Sequence, residues 1–198
     1  VRKDEPIPGA NDGGSGTAVI LELARQLSKK EPAIGVEIVL FDAEDYGAPQ
    51  SKQKRGQDNK FCLGSKYWGE RINSEKYFAD YGILLDMVGA KNAVFKREGY
   101  SVEYAPQIVD QVWNIAFDLG YSNYFSYQKT APVMDDHVYV IKEAGIPTIN
   151  IIDYDRQRSK GFGDYWHTHD DDMSIISRKT LKAVGQTVLT TIFRERGV

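Results

Sequence analysis

The stretch DYWHTHDDD, residues 164 to 172, concentrates side chains that can do chemistry. It holds two of the chain's three histidines, His167 and His169, beside Trp166 and ahead of three consecutive aspartates. Imidazole nitrogens bind metals and move protons near neutral pH, whereas aspartates in front of a helix often cap its first turn. The stretch alone is therefore compatible with a metal site, a proton relay, or a polar loop that leads into a helix.

Acidic residues recur where other predicted elements meet loops. They are Asp12 before a helix, Asp42, Glu44 and Asp45 after an apolar run, Asp86 near the end of a second run, Asp135 and Asp136 before a short helix, and Asp153 after a third run. One such acid is usually a loop residue or a cap. Several together would raise one another's pKa unless a cation compensated them, and carboxylates with a neutral His suit Zn²⁺.

Three apolar runs of strand length predict strands that are buried on both faces: VEIVLF (36–41), YGILLDMVG (81–89) and IPTINIID (146–153). Apolar periodicity predicts helices over 16–30 and 106–119, a short helix over 137–145 closed by Gly145, and a last helix capped by Ser177. The polar segment 47–60 predicts a long surface loop. Alternating strands and helices predict an α/β sandwich with a mainly parallel sheet, in which ligands bind beyond the carboxyl ends of the strands.

Composition narrows the classes of protein. The 198 residues, 41% of them hydrophobic, suit a single globular domain over 1–198, and a net charge of −3 gives no reason to expect a nucleic-acid partner. No apolar run approaches membrane-spanning length, and no signal peptide is visible. The single cysteine, Cys62, excludes an internal disulfide and reads as a small buried residue rather than a nucleophile. The chain starts without Met, close to a glycine-rich turn, so we expect an N-terminal portion to be missing.

The glycine-rich turn GGSG before the first helix is a weak phosphate-binding candidate. A Walker A loop needs Gly-Lys-Ser/Thr, but Thr17 follows Gly16 here. The dinucleotide-binding pattern fails as well, because Val19 stands at the position of its third glycine. Nucleotide binding is therefore disfavoured.

Six segments in register resemble a known family. PGANDGGSGTAVILELARQL, VLFDAEDYG, CLGSKYW, GILLDMVGA, MDDHVYVIKEAGIPTINIID and YWHTHDDD occur in the order found in the zinc exopeptidase superfamily of aminopeptidase (M28) type. The resemblance spans roughly residues 8 to 196 and is greatest to the glutaminyl cyclase branch, particularly the bacterial glutaminyl-peptide cyclotransferases. It implies a three-layer sandwich whose mixed, mostly parallel central sheet is flanked by helices, and an exported protein, periplasmic or extracellular.

The resemblance also implies a metal site with one zinc per chain. Its ligands would be Asp12, Asp45 and His167, whereas His169 lies outside the ligand pattern. The three aspartates that follow are expected to serve the next helix.

Further roles follow from the same resemblance. Glu44 would be the catalytic carboxylate, and Asp86 and Asp135 would hydrogen-bond one another and hold the reacting amide. Trp166 would line the substrate pocket.

The chain departs from the family pattern in three ways. Asp45 stands where animal cyclases have Glu, and the tryptophan of their following loop is absent, so we expect the aromatic stretch from Phe61 through Tyr67 to Trp68 to replace it near the pocket. The family's His-x-Asp segment would lie upstream of this chain. In two-metal aminopeptidases that His binds the second metal, so a dinuclear site stays open.

The implied reaction is the cyclisation of N-terminal glutamine of peptides or proteins to pyroglutamate, with release of ammonia. The nearest alternative is a zinc aminopeptidase in which Glu44 activates water. Trp166 and the Asp135-Asp136-His137 segment, where peptidases more often have Ser-Asp-His, favour the cyclase. A third alternative, from another class, is a non-catalytic binding domain without metal.

Overall fold

The structure, a computed structural model, describes residues 4–47, 60–74 and 77–197. The predicted surface loop over 47–60 lies almost entirely outside the described residues. No described helix is long and apolar enough to cross a membrane.

Four strands form two parallel pairs within the described part of the chain. Strand β1 (Gly82–Asp86) pairs with β4 (Thr148–Ile152) over the full length of both, and β2 (Phe95–Arg97) pairs with β3 (Phe125–Lys129). Every residue of β4 is buried, as its continuous apolar run predicts. The two predicted strands over 81–89 and 146–153 are thereby confirmed.

In the described ranges, six α-helices surround these strands: α1 (Gly14–Leu27), α2 (Leu63–Ser74), α3 (Gly99–Tyr104), α4 (Pro106–Asp118), α5 (Asp136–Tyr139) and α6 (Arg178–Arg194). The predictions of α1, α4 and α6 are confirmed, and the Ser177 hydroxyl caps α6 by accepting the Thr180 N–H. The short helix before β4 is also present, continued by a π-helical turn (Val140–Ala144) and closed by left-handed Gly145. Helix α1 approaches β1 closely at Gly16, where a Cβ would lie 2.1 Å from the Leu85 carbonyl oxygen.

The core lies on both faces of the paired strands. Ile149 and Ile151 of β4 point into the large cluster that α1, α4 and α6 cover. Asn150 lies between them in sequence and therefore faces the other way, towards α5. A second cluster packs beneath α2 and the π-helical turn around Ile72 and Val140. The α/β sandwich with parallel strands between helices is confirmed.

The prediction of a strand over 36–41 is wrong for the described structure. The segment is irregular, and Val36, Ile38 and Leu40 are 40%, 42% and 58% exposed. A strand requires a neighbour that accepts and donates its backbone hydrogen bonds, and the described residues offer this segment no such ladder. The alternate residues Val39 and Phe41 are partly buried and line a groove of about 790 Å³ beside β1.

Candidate active site

Three loops bring Asp12, Asp45 and His167 together. Asp12 lies in the turn before α1, Asp45 follows the 36–41 segment, and His167 lies in the loop after β4. His167 Nε2 is 3.3 Å from Asp12 Oδ2 and 3.1 Å from Asp45 Oδ2, and one donor atom from each residue lies within 4.8 Å of the other two. The three sequence-predicted ligands therefore converge, and the shorter side chain of Asp45 reaches the same point.

The donor geometry fits a tetrahedral zinc ion. Atoms bound at the usual 2.0–2.1 Å from a tetrahedral metal lie roughly 3.3–3.4 Å apart. Without metal, hydrogen bonds to Asp12 and Asp45 raise the pKa of His167 to about 10, while the pKa of Asp45 is lowered, chiefly by its hydrogen bond to His167. A proton on His167 thus compensates the two carboxylates where a divalent cation would do so more fully. All three side chains are partly exposed, which leaves an open side for a substrate.

Glu44 lies beside the ligands in a different environment. Burial, followed by the charges of Asp45 and Asp135, raises the pKa of its carboxyl to about 8. The Cys62 thiol lies 3.7 Å from Glu44 Oε1, and the Cys62 N–H donates to the Glu44 carbonyl oxygen at 2.8 Å. Burial and nearby acids raise the pKa of Cys62, so the group stays a thiol that donates rather than a nucleophile. A carboxyl that holds a proton near neutral pH is suited to general acid–base work.

Asp86 and Asp135 stand behind Glu44. Burial and then the charge of Asp135 raise the pKa of Asp86 well above its ordinary value, and burial also raises the pKa of Asp135. The hydrogen bond expected between them stays a prediction. Asp135 accepts at 2.6 Å from both the Asn150 side-chain amide and the Asp136 backbone N–H, and its charge contributes to the raised pKa of Asp86.

Left-handed backbone marks the same region. Ala43, Cys62, Met87 and His167 have φ values of 52°, 54°, 51° and 56°, which non-glycine residues seldom adopt. Ala43 precedes Glu44, Met87 follows Asp86, and Cys62 contacts Glu44. Such strain persists where the surrounding fold imposes it, and it tends to gather at functional sites.

Trp166 stacks on the imidazole of His167, with ring centroids 3.9 Å apart and planes 25° apart. Phe162 also packs against Trp166, and the centroids of these two rings are 4.6 Å apart. The expected pocket role of the 61–68 aromatic stretch is wrong for Trp68, which packs edge-on against Phe41 and Tyr77 in the second core cluster. Tyr67 is exposed, and only Phe61 lies near the acidic turn, against Gly47.

Comparison with known proteins identifies the family. A profile of Peptidase family M28 matches residues 2–192. The chain belongs to this family.

Solved structures agree with that assignment. A glutaminyl cyclase of Tannerella forsythia is 48% identical with a TM-score of 0.91, over 97% of this chain and 66% of that one. A Zn-dependent exopeptidase of Parabacteroides distasonis matches equally, at 48% identity and a TM-score of 0.91, over 96% of this chain and 65% of that one. The aminopeptidase YwaD of Bacillus subtilis is 27% identical over 94% of this chain. The chain spans 37% of the length of YwaD and about two thirds of the two structures.

The roles of two polar residues in this M28 chain, Asn150 and Asp171, were not predicted from the sequence. Asn150 is fully buried within the apolar run of β4, and an amide in such a position needs a partner, which was the available signal. Asp171 was expected to serve the following helix with its two neighbours. Only Asp172 does so, by accepting the Ser174 N–H in a 3₁₀ turn (Met173–Ile175), whereas Asp171 binds the backbone of the Asp12 turn. His169 lies apart from the ligands, with Nε2 3.0 Å from the Glu5 carbonyl oxygen.

Proposed function

We propose that this protein is a zinc-dependent glutaminyl-peptide cyclotransferase that converts N-terminal glutamine of peptides to pyroglutamate. The carrying observation is the adjacency of two unlike groups: the donor set Asp12, Asp45 and His167, and Glu44 with its pKa raised to about 8. The similarity to the glutaminyl cyclase of Tannerella forsythia supports the same reaction.

Asp12, Asp45 and His167 would hold one zinc ion per chain. When bound, the metal would supply a Lewis acid for the γ-amide carbonyl of the substrate. The nucleophile is the substrate's own α-amine, so the reaction requires no activated water and one metal suffices.

Glu44 moves the proton. Its carboxylate accepts a proton from the α-amine as the nitrogen bonds to the γ-amide carbon, and returns it to the amide nitrogen, which leaves as ammonia. Burial and then the neighbouring acids Asp45 and Asp135 raise the pKa of Glu44, whereas a bound cation would lower it, so the opposing effects bring this pKa towards the neutral range.

The surrounding side chains orient the substrate. Burial raises the pKa of both Asp86 and Asp135, and we expect their carboxyl groups to hold the reacting amide through hydrogen bonds, as the family resemblance implies. Trp166 presents an aromatic face beside His167, which suits the enclosure of a short side chain in a ring-closing geometry.

A zinc aminopeptidase is the second candidate, favoured by the similarity to YwaD. In that reaction Glu44 would activate water instead of the substrate amine. A metal-free binding domain is the least supported alternative, because the complete set of three converging donors would then have no use.

The test offers purified, zinc-loaded protein a peptide with N-terminal Gln and, separately, leucine amide. We expect ammonia and a pyroglutamyl peptide from the first substrate and no free leucine from the second. The matched control is the same Gln peptide with an acetylated α-amine, which lacks the nucleophile and should release no ammonia. Release of leucine without ring closure would establish the aminopeptidase, and a protein that takes up no zinc and is inactive on both substrates would be the metal-free binding domain.

Metal content gives an independent test. We expect about one tightly held zinc per chain from a three-ligand open site. Two equivalents would favour the aminopeptidase. Export to the periplasm or cell exterior stays a prediction, which cell fractionation would test.

A further inference from the structure

The loop that carries His167 also binds the turn that carries Asp12. Four residues after His167, the fully buried carboxylate of Asp171 accepts two backbone N–H groups: Oδ1 accepts from Asn11 at 2.7 Å and Oδ2 from Asp12 at 2.9 Å. The Asp171 carbonyl oxygen accepts a third, from Ala10, at 3.1 Å. Two proposed ligands from opposite ends of the chain are therefore connected through one side chain.

Both sides of this connection are ordered locally. On the histidine side, the Asp171 N–H donates to the Thr168 carbonyl oxygen at 3.2 Å and the Thr168 hydroxyl donates to the Tyr165 carbonyl oxygen at 2.7 Å, which folds residues 165–171 into consecutive turns. Movement of Asp171 is thereby coupled to the backbone that carries His167.

On the Asp12 side, Asn11 is fully buried and tied to other parts of the fold. Its Oδ1 accepts the Gly89 N–H at 2.8 Å and its Nδ2 donates to the Tyr165 hydroxyl at 3.1 Å. These are neutral hydrogen bonds, whereas those to the Asp171 carboxylate are charge-assisted and about twice as strong. The Asp171 carboxylate therefore holds the backbone of both Asn11 and Asp12 directly.

We propose that Asp171 is a positioning residue that sets the zinc affinity of the site by fixing Asp12 relative to His167. The inference rests on the proposed metal site, and Asp171 itself touches neither metal nor substrate. Outer partners that orient metal ligands typically change metal affinity 10- to 100-fold when they are removed.

The experiment compares Asp171→Asn with Asp172→Asn by chelator competition for zinc. The amide that replaces Asp171 keeps one acceptor oxygen but directs an NH₂ group at the other backbone N–H, so one restraint is lost at nearly constant volume. We expect its zinc dissociation constant to rise about 10- to 100-fold, and excess zinc to restore turnover. Asp172→Asn weakens only the cap at Ser174 and should bind zinc as the parent does.

A purely structural role for Asp171 would lower the unfolding free energy of the zinc-free protein while leaving the zinc affinity of the folded protein unchanged. Affinity equal to that of the parent therefore overturns the inference. If the parent itself fails to bind zinc, the proposed metal site fails, which is a distinguishable result. If Asp171→Asn does not fold, amide hydrogen exchange of the zinc-free parent decides. Slow exchange of the Asn11 and Asp12 N–H groups supports their restraint by Asp171, and rapid exchange overturns the inference.

Discussion

Glu98 and Glu44 are both drawn away from solvent, yet the fold treats their carboxyl groups in opposite ways. Glu98 is fully buried and accepts hydrogen bonds from the Tyr100, Ser101 and Val133 N–H groups and from the Ser101 hydroxyl at 2.7–2.9 Å, with His137 Nε2 at 3.2 Å. Burial alone would raise its pKa, but the hydrogen bonds, first that of His137, lower it to about 2. Glu98 is thus a structural group that stays charged at neutral pH.

The surroundings of Glu44 have the opposite effect on its pKa. Its side chain is paired with a weak thiol donor, and burial together with the charges of Asp45 and Asp135 raises its pKa to about 8. The contrast shows that burial by itself does not identify a catalytic acid in this fold. A carboxyl with its donors in place stabilises the structure, whereas one surrounded by other acids can exchange a proton, and perturbation of that second kind points to function.

The largest expected effect concerns the cation that the Glu44 region needs and the Glu98 region does not. His167→Ala should remove zinc and reduce turnover to background, because it leaves Asp12 and Asp45 without their nitrogen partner. Metal analysis and an ammonia assay measure both. The matched control is His169→Ala, which should keep both properties because His169 lies outside the donor set, with its Nε2 beside the Glu5 carbonyl oxygen. Stoichiometric zinc in His167→Ala would show that the ligand set is wrong.

The next effect is on stability and should appear at Glu98. Glu98→Ala leaves buried backbone donors and His137 without their acceptor, so we expect the unfolding free energy to fall by about 3–5 kcal/mol, the usual effect of breaking a buried pair. Chemical denaturation measures it. Glu103→Ala in the same helix, α3, is the control, since Glu103 is exposed and should change little. A loss below about 1 kcal/mol at Glu98 would put that site with ordinary surface substitutions.

The smallest effect is the opposite pH dependence of the two acids. The pKa of Glu98 is lowered from 4.5 to about 2, so its stabilisation is complete above pH 4.5 and disappears as the pH falls towards 2. The pKa of Glu44 is raised from 4.5 to about 8 without metal, so its ionisation costs stability as the pH rises across that interval. Denaturation of zinc-free protein at several pH values should therefore show two effects. Glu98→Gln should weaken the pH dependence of the unfolding free energy at acid pH, and Glu44→Gln should weaken it between pH 4.5 and neutral pH. Equal effects of both variants at every pH would contradict the comparison.

The pattern of apolar residues along the sequence predicted most of the long helices and two strands, but it could not identify which strands pair. The runs 36–41 and 146–153 look alike in sequence, yet β4 is buried because β1 pairs with it, while 36–41 has no ladder among the described residues. Short elements such as β2 and α3 were not predicted, since three to six residues carry little periodicity.

In the candidate site too, some residues could be predicted from the sequence and others could not. Asp12, Asp45 and His167 were predictable through the family resemblance, because each lies in one of the segments that carry it. Asp171 was not, because its function depends on contacts with residues 159 and 160 positions earlier. The aromatic stretch 61–68 was expected near the pocket, in place of the missing loop tryptophan. Aromatic residues at such spacing pack in a core as readily as in a pocket, and Trp68 packs in the second core cluster.

The most direct test of the account is the combined zinc content and turnover of Glu44→Gln. Asp45, not Glu44, belongs to the donor set, so the variant should retain about as much zinc as the parent. Its rate of ammonia release from a Gln peptide should fall by about 10²–10⁴-fold, the range of general acid–base catalysis, because glutamine cannot carry the proton. Full zinc with that loss supports the division between metal-holding and proton-carrying acids. Undiminished cyclisation by the zinc-loaded variant would contradict it.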